Sequence, residues 1–507
     1  MIDSNAKMIP VNPILKGFYP DPSICRVGED YYLVTSTFEY FPGIPVFHSR
    51  DLVNWRQIGN ALDRPSQLPL EGANCSAGIW APTLRHHEGR FYLVSTNMTL
   101  GGNFVVTASD PAGPWSEPVL LQQDGIDPSL LFDDGKVYLT TSENRQSEID
   151  INSGRRLSDV RMVWEGTGGG YMEAPHLYKI NGWYYLMVAE GGTGRGHMIS
   201  IARSRDPWGP FAACPRNPIL SNRGCGGEPL QCTGHGDLVQ AGDGTWWMVF
   251  LGIRELPGLF PRVHLLGRET FLAPVTWDED GWPAVNQTGR ASLQMPSPLL
   301  PRHSWPEPPI RDEFDSRNLG VEWVHLRNPA PACYSLAARP GWLRLSGSVS
   351  TLSDLSSPTC ILRRQTAYRC EASTLLDFSP VLESDEAGLT VFMNNEHHYE
   401  ARMICREGKR SVELHRRVGD LQVITAQSEI PSGPVEIGFS ADEGNYHFYF
   451  TDSAGHRNPL GTARTRYLST EVAGGFTGVM IGLYATGNGS ASGTPADFDW
   501  FQYRADS

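Results

Sequence analysis

The feature that most constrains this chain is a unit that recurs five times in its first half. Each copy runs from a turn carrying Pro or Gly into a short apolar segment, then a polar turn, then an aromatic-rich strand. The copies begin at Asp21-Pro22-Ser23-Ile24, Trp80-Ala81-Pro82-Thr83, Asp127-Pro128-Ser129-Leu130, Glu173-Ala174-Pro175-His176 and His235-Gly236-Asp237-Leu238, the last without the proline. Their starts are 59, 47, 46 and 62 residues apart. Periods of roughly 40–50 residues with several short strands each mark propeller blades. No long segment of helical period interrupts them. The region therefore reads as all-β, a five-bladed β-propeller around a central channel. A β-sandwich with chance echoes of aromatic hairpins is the alternative.

At 507 residues the chain exceeds what one core usually organises. The break falls at residues 295–309, MPSPLLPRHSWPEPP, where six prolines exclude a regular element. We place the propeller at 1–300, the Pro-rich linker at 301–311 and a second all-β domain, a β-sandwich, at 312–507. That last stretch ends on the alternating run ADFDWFQY. Net charge is -14 with no basic cluster, which excludes nucleic acid and anionic membrane surfaces as natural partners. No run approaches the roughly 18 apolar residues of a membrane span. The nine cysteines form no CxxC pair, and the N-terminus lacks a cationic, apolar leader. Both point to a cytoplasmic protein. A small neutral ligand fits best, and a homo-oligomer is compatible with the composition.

Equivalent positions of repeats arranged about an axis meet at that axis, so Asp21, Trp80, Asp127, Glu173 and His235 should share one pocket. Several carboxyls in one pocket suit glycosidic bond hydrolysis. Inversion needs a base and a protonated acid roughly 6.5–9.5 Å apart. A third carboxylate near the acid would raise its pKa. Each residue also has a plainer role: Asp before Pro is a common turn residue, and strand aromatics usually fill cores. A non-catalytic glycan-binding propeller would keep the aromatics without needing all three acids.

Seven stretches together resemble glycoside hydrolase family 43, of the two-domain β-xylosidase and α-L-arabinofuranosidase type: 17–23 (GFYPDPS), 38–43 (FEYFPG), 78–83 (GIWAPT), 125–129 (GIDPS), 173–176 (EAPH), 189–193 (AEGGT) and 233–237 (TGHGD). The resemblance implies a five-bladed propeller, single-displacement inversion and a C-terminal β-sandwich. It makes Asp21 the general base, Glu173 the general acid and Asp127 the carboxylate that tunes the acid. Phe38 and Trp80 would wall the sugar and Arg268 would bond it, with core packing and a surface ion pair as the respective alternatives. His235 matches a histidine associated in some members with a structural Ca2+ in the channel; a metal-free histidine bonding Asp127 or water is the alternative, and no cofactor is required. Phe476, in GGFTG, is the sandwich aromatic expected near the pocket mouth. Ala174 stands where a glycine often precedes the proline. The implied reaction releases xylose from the non-reducing ends of β-1,4-xylo-oligosaccharides, with arabinofuranosidase activity as the near rival.

Overall fold

The computed structural model describes residues 9–10, 12–99, 101–256, 258 and 261–506. Residues 1–8, which carry much of the leader reading, lie outside the described residues. The first half builds five four-stranded antiparallel sheets. Their first strands are β1 (Ser23–Val27), β2 (Ile79–His87), β3 (Ser129–Asp133), β4 (Glu173–Ile180) and β5 (Leu230–Gln240). Each of these lies beside the next, and β5 lies beside β1, so the five close a ring. The remaining strands of each sheet follow in chain order away from the ring. This is a β-propeller.

Local chemistry explains the hairpins. Asp134-Gly135 and Asn181-Gly182 have φ of 49° and 71°, and 49° and 75°. Two consecutive left-handed residues make the turn whose twist matches antiparallel strands. The aromatic-rich second strands then bury an apolar residue at one matching place in each sheet: Leu33, Leu93, Leu139, Leu186 and Met248. Apolar faces pack between adjacent sheets, as where Val94 and Val105 of the second sheet meet Leu130 and Leu139 of the third. Truncating such a leucine to alanine costs about 2–5 kcal/mol.

Residues 297–309 form no strand or helix and strap onto the first sheet. The His303 amide donates to Asp51 at 2.9 Å and the Trp305 indole donates to the Asn54 carbonyl at 3.1 Å. Beyond them an eight-stranded and a six-stranded sheet share one core that includes Leu345, Ile361, Leu376, Val391, Phe439 and Phe501. This is a β-sandwich, and it docks tightly. His325–Leu326 pairs antiparallel with Tyr40–Phe41 of the propeller. Phe18, Phe38 and Tyr40 join Leu326, Leu362, Met480 and Tyr484 in one apolar cluster across the boundary. Arg327 is fully buried there; its side chain donates to the Ala73 and Ser356 carbonyls at 2.7 and 3.0 Å. A buried guanidinium needs such partners, so the two domains hold a fixed relation around the pocket.

Candidate active site

The ring strands deliver their leading residues by breaking strand regularity. Register slips fall between Trp80 and Thr83, between Glu173 and His176, and between Gln231, Gly234 and Asp237. A bulge of this kind re-aims a side chain. Asp21, Phe38, Asp127 and His235 have φ of 56°, 51°, 54° and 48°, all left-handed and none a glycine. Each costs about 1–3 kcal/mol and persists only where the surroundings enforce it. Ala174 adopts φ 48° as well, a conformation that glycine takes more readily. Beside His235, a Cβ on Gly234 would lie 2.3 Å from the His197 imidazole, so only glycine lets these strands approach.

One cavity of about 250 Å³ is lined by all eight residues singled out from the sequence: Asp21, Phe38, Trp80, Asp127, Glu173, His235, Arg268 and Phe476. Asp21 receives Arg268 Nη1 at 2.9 Å and the Ser36 hydroxyl at 2.6 Å. Arg268 is buried, not a surface cation, and Nη1 also donates to Thr193 Oγ1 at 3.1 Å. Asp127 accepts the Ala174 amide at 3.0 Å. Phe38, Trp80 and Phe476 form an aromatic wall, with centroids 6.1 Å apart for Phe38 and Phe476 and 5.6 Å for Trp80 and Phe476. Phe38 belongs to the interdomain core and also faces the cavity.

His235, read either as a calcium-associated histidine or as one bonding Asp127 or water, has its Nδ1 3.6 Å from Asp21 Oδ1, because β5 closes the ring against β1. Asp127 was expected to raise the Glu173 pKa. Glu173 is indeed raised, but by burial first and the Asp21 charge second, with Arg268 opposing. Asp127 is the more strongly raised: burial dominates, and the charges of Glu173 and Asp21 add to it. Asp21 goes the other way. Burial pushes it up, but Arg268 and the Ser36 hydroxyl bring it below its ordinary value of 3.8. Arg268 thus favours the charged form of Asp21, while burial and neighbouring negative charge favour the protonated forms of Asp127 and Glu173.

Sequence reasoning assigned no role to Ser36, Thr193 or His197. Thr193 was within reach, since it ends the Gly191-Gly192-Thr193 run already matched to the family. Ser36 and His197 carry no local signal; only the fold brings them to Asp21 and to the cavity wall.

Calcium takes about 6–8 oxygen ligands. Near His235 the structure offers two more imidazoles, His176 and His197, and an Asp21 already bound by Arg268. Among the described residues, no three His, Cys, Asp or Glu side chains converge to hold a metal. The protein side chains do not fit a calcium site on their own, and no step below uses an ion.

The sequence comparisons agree with this geometry. Residues 10–283 match Glycosyl hydrolases family 43, and residues 311–504 match the Beta xylosidase C-terminal Concanavalin A-like domain. A non-reducing end alpha-L-arabinofuranosidase of Bacteroides ovatus is 49% identical, over 97% of this chain and 94% of that protein. A xylosidase/arabinosidase of Butyrivibrio fibrisolvens is 41% identical, over 97% and 98%. The solved structure of Bacteroides ovatus xyloglucan PUL GH43B superposes with a TM-score of 0.95 at 48% identity, covering 98% of this chain and 99% of that one. A propeller pocket lined by three carboxyls, with a sandwich aromatic beside it, suits a glycoside hydrolase. The chain belongs to glycosyl hydrolases family 43, which sets aside the non-catalytic glycan-binding alternative.

Proposed function

We propose that this chain is an inverting exo-glycosidase that removes a single pentose from non-reducing ends. It turns over both α-L-arabinofuranosides and β-1,4-xylo-oligosaccharides, the former faster. The observation that carries this reading is the convergence of Asp21, Asp127 and Glu173 on one small cavity beside Arg268. In the same reading the five sheets are the blades of a five-bladed propeller.

Asp21 is the general base. Held ionised by Arg268 and Ser36, it takes a proton from a water whose oxygen attacks the anomeric carbon. Glu173 is the general acid and gives its proton to the glycosidic oxygen as that bond breaks. Asp127, buried in the same cavity, favours keeping the proton on Glu173, since two neighbouring buried carboxyls resist ionising together. After one turnover Asp21 is protonated and Glu173 ionised, and exchange with solvent resets them. The volume of about 250 Å³ lies just below the roughly 300–1,000 Å³ of most ligand pockets. Together with Phe476 at the rim it favours attack on chain ends over internal bonds.

The faster arabinofuranoside rate is supported by the 49% identical arabinofuranosidase. The β-xyloside activity, the expectation from sequence, is supported by the C-terminal domain match and by the relative named for both sugars. Rates on nitrophenyl α-L-arabinofuranoside and nitrophenyl β-xyloside, measured side by side, test the pairing; a protein inert on either overturns dual activity. Proton NMR of the first-formed product from a β-xyloside should show α-xylose, and a β anomer first would rule out single displacement. We place the enzyme in the cytoplasm, acting on imported oligosaccharides. Nine cysteines that are all free thiols support a reducing compartment, and cell fractionation tests it.

A further inference from the structure

Ser76 lies in the turn before β2 and does not line the cavity, yet two of its three polar groups engage residues of the pocket wall and the third a buried carboxylate. Its amide donates to Glu39 Oε2 at 2.9 Å. Its carbonyl accepts the Trp80 indole N–H at 2.9 Å. Its hydroxyl accepts the Phe476 amide at 2.8 Å, across 400 residues of chain and from the other domain. The serine is buried and held at φ 63°. Glu39 is fully buried in turn, and its own carbonyl accepts the amide of Arg327 from the sandwich at 2.9 Å.

The opposite side of this contact is equally specific. Gly475 sits at φ +82°, where a Cβ would lie 2.8 Å from the Ser76 hydroxyl. The GGF turn can therefore reach Ser76 only with glycine at that position. Phe476 is otherwise loosely tied: it is 36% exposed, and its carbonyl receives Arg268 Nη2 at a long 3.5 Å. Its ring rests on Phe38 and Trp80. One hydroxyl thus decides where Phe476, the sandwich's aromatic contribution to the cavity, stands relative to the propeller's aromatics.

We propose that Ser76 is a positioning residue, a latch that fixes Phe476 against Trp80 across the domain boundary so that the pocket's aromatic wall is complete before substrate enters. The proposal rests on the pentosidase reading above and concerns binding, not proton transfer. Asp21 and Glu173 are untouched by the latch, so its loss acts on KM.

Steady-state kinetics on the full chain test this. Ser76→Ala keeps both backbone bonds and removes only the acceptor for the Phe476 amide. KM for a nitrophenyl pentoside should rise about tenfold, the loss expected when a partly buried donor is left unmatched, with kcat changed less than about threefold. In a Phe476→Ala background the same substitution should change KM less than about twofold, because the ring it positions is gone. A tenfold rise that persists in that background would assign Ser76 a merely structural role, and an unchanged KM in the single variant would overturn the latch outright. Should Ser76→Ala not fold, Gly475→Ala reads the same contact from the sandwich side, and an unaltered KM there is equally fatal. Absence of pentosidase activity in the unmutated chain would instead sink the functional reading and leave the latch without a substrate.

Discussion

Asp237 and Asp127 belong to the same ring of strands and both are buried, yet their carboxyls move in opposite directions. Burial alone would raise each. Asp237 is brought far below its ordinary value first by the Arg85 charge, then by His176 and by bonds from Arg85 Nη1 and Nη2 at 2.8 and 3.2 Å and the Tyr178 hydroxyl at 2.6 Å; the Ser23 hydroxyl at 2.7 Å and the Ile24 amide at 3.1 Å complete its partners. Asp127 accepts a single amide, from Ala174, and faces two further acids. The fold thus uses one chemical group twice. Fully partnered, it ties strands together; under-partnered, it keeps a proton. The strain at Asp21, Phe38, Asp127 and His235 falls at the pocket end of the same ring.

Substitution at the reacting carboxyls should have the largest effect. Glu173→Ala and Asp21→Ala should each lower kcat on a natural disaccharide by at least about 10³-fold. Glu173→Ala should lose much less on nitrophenyl glycosides, whose leaving group needs little protonation. Equal losses on both substrates would deny Glu173 the acid's role.

The comparison itself breaks or holds on stability. Arg85→Met strands an ionised Asp237 and should destabilise by about 3–5 kcal/mol, read as denaturant midpoint. Asp127→Asn should cost less than about 1 kcal/mol while lowering kcat about 10²-fold. The pH dependence must also differ in sign. Asp237, depressed when folded, contributes stability that is present above its ordinary 3.8 and lost as pH falls below it. Asp127, raised when folded, binds its proton more tightly than the unfolded chain does. Its contribution is full below 3.8 and is lost as pH rises above it.

A smaller effect sharpens the electrostatics of the site. Arg268 lowers both Asp21 and Glu173, so Arg268→Met should move the acid and alkaline limbs of the kcat/KM profile to higher pH together. Movement of one limb alone would mean that the guanidinium serves only one of the two. Smallest of all, Ala174→Gly should relieve the left-handed alanine by about 1 kcal/mol, seen as a rise of about 2–4 °C in Tm, without losing the amide bond to Asp127.

Much of this molecule could be read before any coordinates. The acid-proline and Gly-turn pattern is local: a turn followed by alternating apolar residues makes the same hairpin in each repeat, so the propeller and the convergence of Asp21, Asp127 and Glu173 follow from repetition alone. The sandwich was visible as a change of texture past the proline-rich segment. Ser36, His197 and Ser76 had no such cue, because nothing within a few residues of each reveals what it will touch.

The chain by itself determined which carboxyls would face the axis, since backbone conformation at a strand's start is set by the residue, its proline neighbour and the turn. Only the tertiary structure decided what those carboxyls would be. Whether a buried acid keeps or loses its proton depends on partners from distant segments, Arg268 for Asp21 and Arg85 for Asp237, and a Coulomb interaction or a desolvation cost exists only once those atoms are brought together.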